Sequence, residues 1–162
     1  MPKYQATIYS PKEERFNIWS HGIGFVLSVL GTVLLLARAL ALSDPMDAVS
    51  AAVYAASLLT LYAASTLYHS DQKSKLRNRL NIFDHAAIYI LIAGTYTPFC
   101  LITLAGKVGW ILFACVWAFA VAGVILKLFF TGRYDKLSTL MYVFMGCMVI
   151  FAFKPLMAHL PT

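Results

Sequence analysis

The sequence predicts an all-α integral membrane protein with five transmembrane helices, on three observations. Of 162 residues, 60% are hydrophobic and 12% charged, where a soluble domain has roughly 45–50% and about 25%. A soluble globule could not bury that excess, and mean hydropathy is +0.74. Residues 22–37, 48–70, 85–106, 108–126 and 137–153 carry no Asp, Glu, Lys or Arg, and a helix crossing a bilayer needs about 17–25 mostly apolar residues. Strict apolar–polar alternation is missing, which excludes a membrane barrel and leaves helices as the way to satisfy the backbone in lipid.

The elements follow in chain order. Residues 1–17 form a cytoplasmic segment leading into helix one. Ser10-Pro11-Lys12-Glu13 has the form of a capping box, with Ser10 as N-cap, Pro11 first in the helix and Glu13 third. The transmembrane domain, 18–158, has spans near 18–42, 48–69, 85–104, 109–130 and 137–158. The first apolar core is longer than that of a signal peptide and follows a mostly polar lead, so an uncleaved helix is expected. Pro45 breaks the chain between spans one and two. Segment 70–84 is a longer polar connection, and Asp84 stands where span three begins and could cap it. Gly94-Thr95-Tyr96-Thr97-Pro98 should bend that span. Gly132 fits a helix stop between spans four and five. Met141, Met145 and Met148 form a helical stripe suited to packing. Cys100, Cys115 and Cys147 form no CxxC pair. Residues 159–162 are a tail.

Charge placement sets orientation. With the N-terminus in the cytoplasm, Lys3, Lys12, Arg15, Lys73, Lys75, Arg77, Arg79, Lys127, Arg133 and Lys136 lie inside. That is ten of the 13 basic residues; Arg38, Lys107 and Lys154 lie outside. The run from Lys73 to Arg79 reads as a positive-inside loop, not a nucleic-acid surface. The expected partner is the bilayer, with no nucleic acid.

The polar residues inside the spans converge. Glu14, Asn17, His21, Gly24, Ser28 and Gly31 recur at spacings of three and four, one face of helix one. Ser57, Leu61, Ser65 and His69 share a face of helix two, and Asp84, Ile88, Leu91, Thr95 and Pro98 share one of helix three. Glu14, Asn17, His21, Ser65, His69, Asp84 and His85 thus gather at the cytoplasmic ends of three helices. His85 lies off the Asp84 face and is left out of the site. Intramembrane polar groups are costly, so this cluster is the candidate site.

Three stretches at these positions resemble signatures of the hemolysin III family: Glu14–Gly24, Ser65–Ser70 and Phe83–Phe99. That family is the bacterial branch of the progestin and adipoQ receptor family. The resemblance implies a seven-helix bundle with a cytoplasmic N-terminus in the cell membrane, the bacterial inner membrane. It also implies a zinc ion in the cytoplasmic half. His69 would be one ligand, with Ser65 before it, and Asp84 would hold a zinc-bound water. Two more histidines would come from helix seven. The sequence ends at Pro161-Thr162 after the fifth span, so the expectation is a C-terminally truncated chain with an incomplete zinc site. His159 falls on the other side and cannot replace the missing pair.

Three functions are carried from this reading. The first is a zinc-dependent membrane hydrolase acting on lipid-like amides or esters. Asp84 would be its general base, Ser65 its donor to the developing oxyanion, and Glu14, Asn17 and His21 a supporting polar network. The second is a pore-forming or cytolytic protein, although no span shows a continuous polar face. The third is a non-enzymatic sensor or regulator of membrane state, with the cluster as a structural latch.

Overall fold

The structure, a computed structural model, describes residues 4–72 and 74–159, without the side chains of Ser74, Lys75 and His159. Lys3, Lys73, the Lys75 side chain, the His159 side chain and residues 160–162 therefore lie outside the described residues. Among the described residues, five helices are long and apolar enough to cross a membrane: Pro11–Leu40, Pro45–Ser70, Leu76–Thr103, Gly106–Phe130 and Asp135–Ala158. Their surface is apolar where a soluble protein's is polar. Leu34 is 72% exposed, Phe129 73% and Phe151 79%, a surface suited to lipid or to other membrane helices.

Helix α1 (Pro11–Leu40) starts where its capping box predicts. Ser10 N–H donates to Glu13 Oε2 at 2.8 Å, and Glu13 N–H to Ser10 Oγ at 3.3 Å. Helix α2 (Pro45–Ser70) has Asp44 as its N-cap, accepting from Met46 N–H at 2.8 Å, with Pro45 in the first turn. Helix α3 (Ser74–Pro98) begins well before the expected 85. The polar segment 74–84 contains no Gly or Pro, so it continues the helix beyond the apolar stretch. A hydropathy boundary marks where a helix enters lipid, not where it starts. Asp84 sits inside α3 and does not cap it, because its neighbours' N–H groups are bonded within the helix.

After Pro98 the chain passes into a π-helical turn, Phe99–Thr103, where the proline cannot donate to the ladder. Thr95 and Thr97 hydroxyls donate back to the carbonyls of Leu91 and Ala93, at 2.8 and 2.9 Å. Helix α4 (Gly106–Phe130) ends ahead of Gly132, whose φ of +81° suits a residue without a Cβ. The fifth span is not one helix. It is α5 (Asp135–Cys147), a 3₁₀ turn (Met148–Ala152) and α6 (Phe153–His159).

Consecutive helices α1 to α4 pack as neighbours, and α5 packs on α3 and α4. The core lies between α3, α4 and α5, where Tyr89, Ala93, Cys100, Val116, Ala120 and Met145 are fully buried. Small residues set the seams: a Cβ on Gly94 would strike Ser57, and one on Gly123 would strike the Tyr89 ring. In lipid, such close approach is what packing energy comes from. Tyr89 and Tyr142 tie α3 to α5 through hydroxyl donation to the carbonyls of Ser138 and His85, at 3.1 and 2.8 Å.

Candidate functional site at the paired ends of three helices

The start of α1, the end of α2 and the first turns of α3 meet at one end of the bundle. Glu14, only 3% exposed, is at the centre. Its Oε2 accepts from His69 Nδ1 at 2.7 Å, and its Oε1 accepts from Arg77 Nη2. Asn17 Nδ2 lies 3.4 Å from the same His69 nitrogen. The shorter contact, to a carboxylate, puts a proton on Nδ1, so that in the neutral imidazole the lone pair is on Nε2. Among the described residues, Nε2 makes no hydrogen bond. The His21 ring lies parallel to His69, centroids 5.6 Å apart, and Tyr68 and Tyr9 flank His69 at 4.6 and 5.7 Å.

Arg77 corrects the expectation of a basic loop. It is 3% exposed and sits in the second turn of α3. A buried guanidinium needs its donors met. Besides Glu14, it donates to the carbonyls of Thr7 at 2.9 Å, Asp71 at 2.7 Å and Tyr68 at 3.4 Å, and stacks on the Tyr68 ring at 4.6 Å. The sequence carried one signal for it. Arg77, Asn81, Asp84 and Ile88 share a helical face, so the Asp84 stripe extends back through the polar segment.

Residues 4–9 form a strap across this end. The Tyr4 hydroxyl donates to Asn81 Oδ1, and the Tyr4 carbonyl accepts from Asn78 Nδ2 at 3.1 Å. Ala6 N–H donates to Asn78 Oδ1 at 2.8 Å, and the Tyr68 hydroxyl to the Thr7 carbonyl at 3.2 Å. The Tyr4 ring fills the space beside Gly132, where a Cβ would collide with it. Burial pushes the Tyr4 phenol up to about 12, helped by the charge of Asp135. No periodicity in the strap could have revealed it.

The expected site residues are thus partly assembled. Glu14, Asn17, His21 and His69 touch. Asp84 is half-buried and within electrostatic reach of His21. Ser65 is buried one turn before His69. Among the described residues, neither Ser65 nor Asp84 hydrogen-bonds to the histidine. His85 is turned away, its Nδ1 on the Asn81 carbonyl at 2.8 Å.

Among the described residues, no group of three or more His, Cys, Asp or Glu side chains could hold a metal ion. His69 alone fits as one ligand, because a carboxylate on one imidazole nitrogen orients the other toward a metal. The full donor set does not lie within the described residues.

The sequence matches the family described as Haemolysin-III related over residues 9–162. It is 46% identical over 149 residues to "Hemolysin-3" of Bacillus cereus, covering 92% of this chain and 68% of that protein. It is 44% identical over 153 residues to the "Hemolysin-3 homolog" of Bacillus subtilis (strain 168), covering 94% and 72%. A more distant relative is the human "Monocyte to macrophage differentiation factor", 28% identical over 153 residues, covering 89% and 60%. On the extent of these matches and its five membrane-crossing helices, the chain belongs to the haemolysin III family of multi-pass membrane proteins.

Proposed function

We propose that the chain is part of a zinc-dependent membrane hydrolase acting on lipid-like amides or esters, with this end of the bundle facing the cytoplasm of a bacterial cell. One observation carries it: His69 is buried with its Nδ1 2.7 Å from Glu14 Oε2, and among the described residues its Nε2 makes no hydrogen bond. His69 would be one ligand to zinc, which would make a water acidic enough to lose its proton near neutral pH. The further ligands this requires are to come from outside the described residues. Glu14 fixes the His69 ring and its tautomer. Arg77 compensates the Glu14 charge, which burial would otherwise make costly. Asp84 accepts the proton from the attacking water, and Ser65 donates to the carbonyl oxygen as negative charge develops there. The helices' apolar surface admits an acyl chain from the bilayer.

The test is release of fatty acid from a panel of N-acyl amides and acyl esters by the purified protein in lipid nanodiscs. His69→Ala should abolish release, and Glu14→Gln should lower metal affinity about 10–100-fold. No release from any substrate, or release indifferent to His69→Ala, overturns the reading. A structural latch is the second reading, favoured by Arg77, which meets the Glu14 charge without chemistry. It predicts lost stability in both variants and no release from any substrate by the unsubstituted protein. Cytolysis, carried by the name of the Bacillus cereus relative, predicts red-cell lysis that survives His69→Ala.

A further inference from the structure

We infer that the outer face of α1, at the end that starts the helix, seats an anionic phospholipid. A cavity of about 390 Å³ opens between α1 and α2, lined by Ile18, Trp19, Gly22, Val26 and Thr66 among others. Gly22 leaves it open. A Cβ there would come no nearer than 4.0 Å to Thr66 Cγ2, and no other neighbour lies within that distance. This glycine does not serve a tight helix contact, unlike Gly94 or Gly123. The space suits a hydrocarbon chain. Trp19 is 71% exposed and Val26 58%, so no described residue covers the wall.

The charge at the mouth identifies the occupant. Lys12, Arg15, Trp19, Gly22 and Val26 follow one another at steps of three and four, so they lie along one side of α1. Both cations are exposed. Arg15 stands about 10 Å toward the helix start from Gly22, so it reaches the headgroups when Gly22 lies among acyl chains. Trp19, between them, sits at the depth that tryptophan favours. Glu14 is buried against Arg77 and His69, and Glu13, at the Ser10 cap, offsets only one of the two cations. One phosphate on Arg15, supported by Lys12, with one acyl chain over Gly22 satisfies both the charge and the cavity. A zwitterionic lipid offers the same phosphate but brings its own cation beside Arg15 and Lys12, so only an anionic lipid balances their charge.

The test uses Trp19 as reporter, in the Trp110→Phe/Trp117→Phe background, in phosphatidylcholine vesicles. Brominated phosphatidylglycerol should quench Trp19 more strongly than brominated phosphatidylcholine at equal mole fraction. Arg15→Gln should cut that preference about fivefold, the worth of one cation near an anionic surface. Gly22→Leu should remove it with the charges intact. Equal quenching by the two lipids overturns the seat. So does a preference that survives Gly22→Leu, which would mean diffuse surface attraction only. If the reporter background does not fold, native mass spectrometry of the unsubstituted chain reads the same comparison: retained phosphatidylglycerol, lost in Arg15→Gln, or no selective retention.

Discussion

Glu14 is the residue on which three helices depend. It stands in the first turn of α1, yet its two oxygens are taken by α2 and α3. Breaking a buried ion pair by removing one partner costs about 3–5 kcal/mol, because the survivor is left unpaired. Arg77→Ala should therefore lower the unfolding free energy by that amount in detergent titration, and Glu14→Leu with Arg77→Met should recover most of it. A loss near zero for Arg77→Ala would show the pair to be solvated. Tyr4 gives a prediction in pH. Its phenol rises from an ordinary 10.0 to about 12, so the folded state holds the proton more tightly than the unfolded one. Its contribution is full below about 10 and lost as pH rises through about 12. Proteolysis within residues 4–9 should stay slow at pH 9 and accelerate toward pH 12, while Tyr4→Phe should weaken the strap already at pH 9. Of the residues at this end, Glu14, Asn17, His21 and His69 were legible from helical period alone. Arg77 shares the period of Asp84 but was hidden, because charge counting treats every cation near a membrane as a surface cation.

The elements deviate from their expected form where a side chain competes with the backbone. The fifth span breaks because Tyr96 enters its ladder: its hydroxyl accepts from Val149 N–H at 2.9 Å and donates to the Gly146 carbonyl at 3.0 Å. A side chain inserted in this way is a recognised cause of a helix break. Tyr96→Phe removes both bonds at about 0.5–1.5 kcal/mol each, and hydrogen exchange should report faster opening at Val149. Unchanged exchange there would dissociate the break from Tyr96. The α3–α4 seam makes a matching prediction. Gly123→Val forces its side chain into the Tyr89 ring and should cost about 1–3 kcal/mol of unfolding free energy by overpacking, with no effect if the helices can part. The capping box and the Gly132 stop were readable because they are local. The Tyr96 break and the strap join residues far apart in sequence, so no local pattern encodes them.

At the scale of the whole molecule, hydropathy gives the number of helices and the family gives their company. Adjacent helices pack as sequence neighbours, so a period-based reading of three faces was enough to bring Glu14, His21 and His69 to one end. It could not supply a donor set for a metal, because the described residues bring only one suitably prepared imidazole to that place. The central claim is that His69, prepared by Glu14, serves a zinc site. The most direct measurement is the metal content of the native gene's product, released gently from membranes and weighed by native mass spectrometry beside its His69→Ala variant. One zinc per chain is expected in the first and none in the second. A native product without zinc, or zinc that remains when His69 is gone, would contradict it.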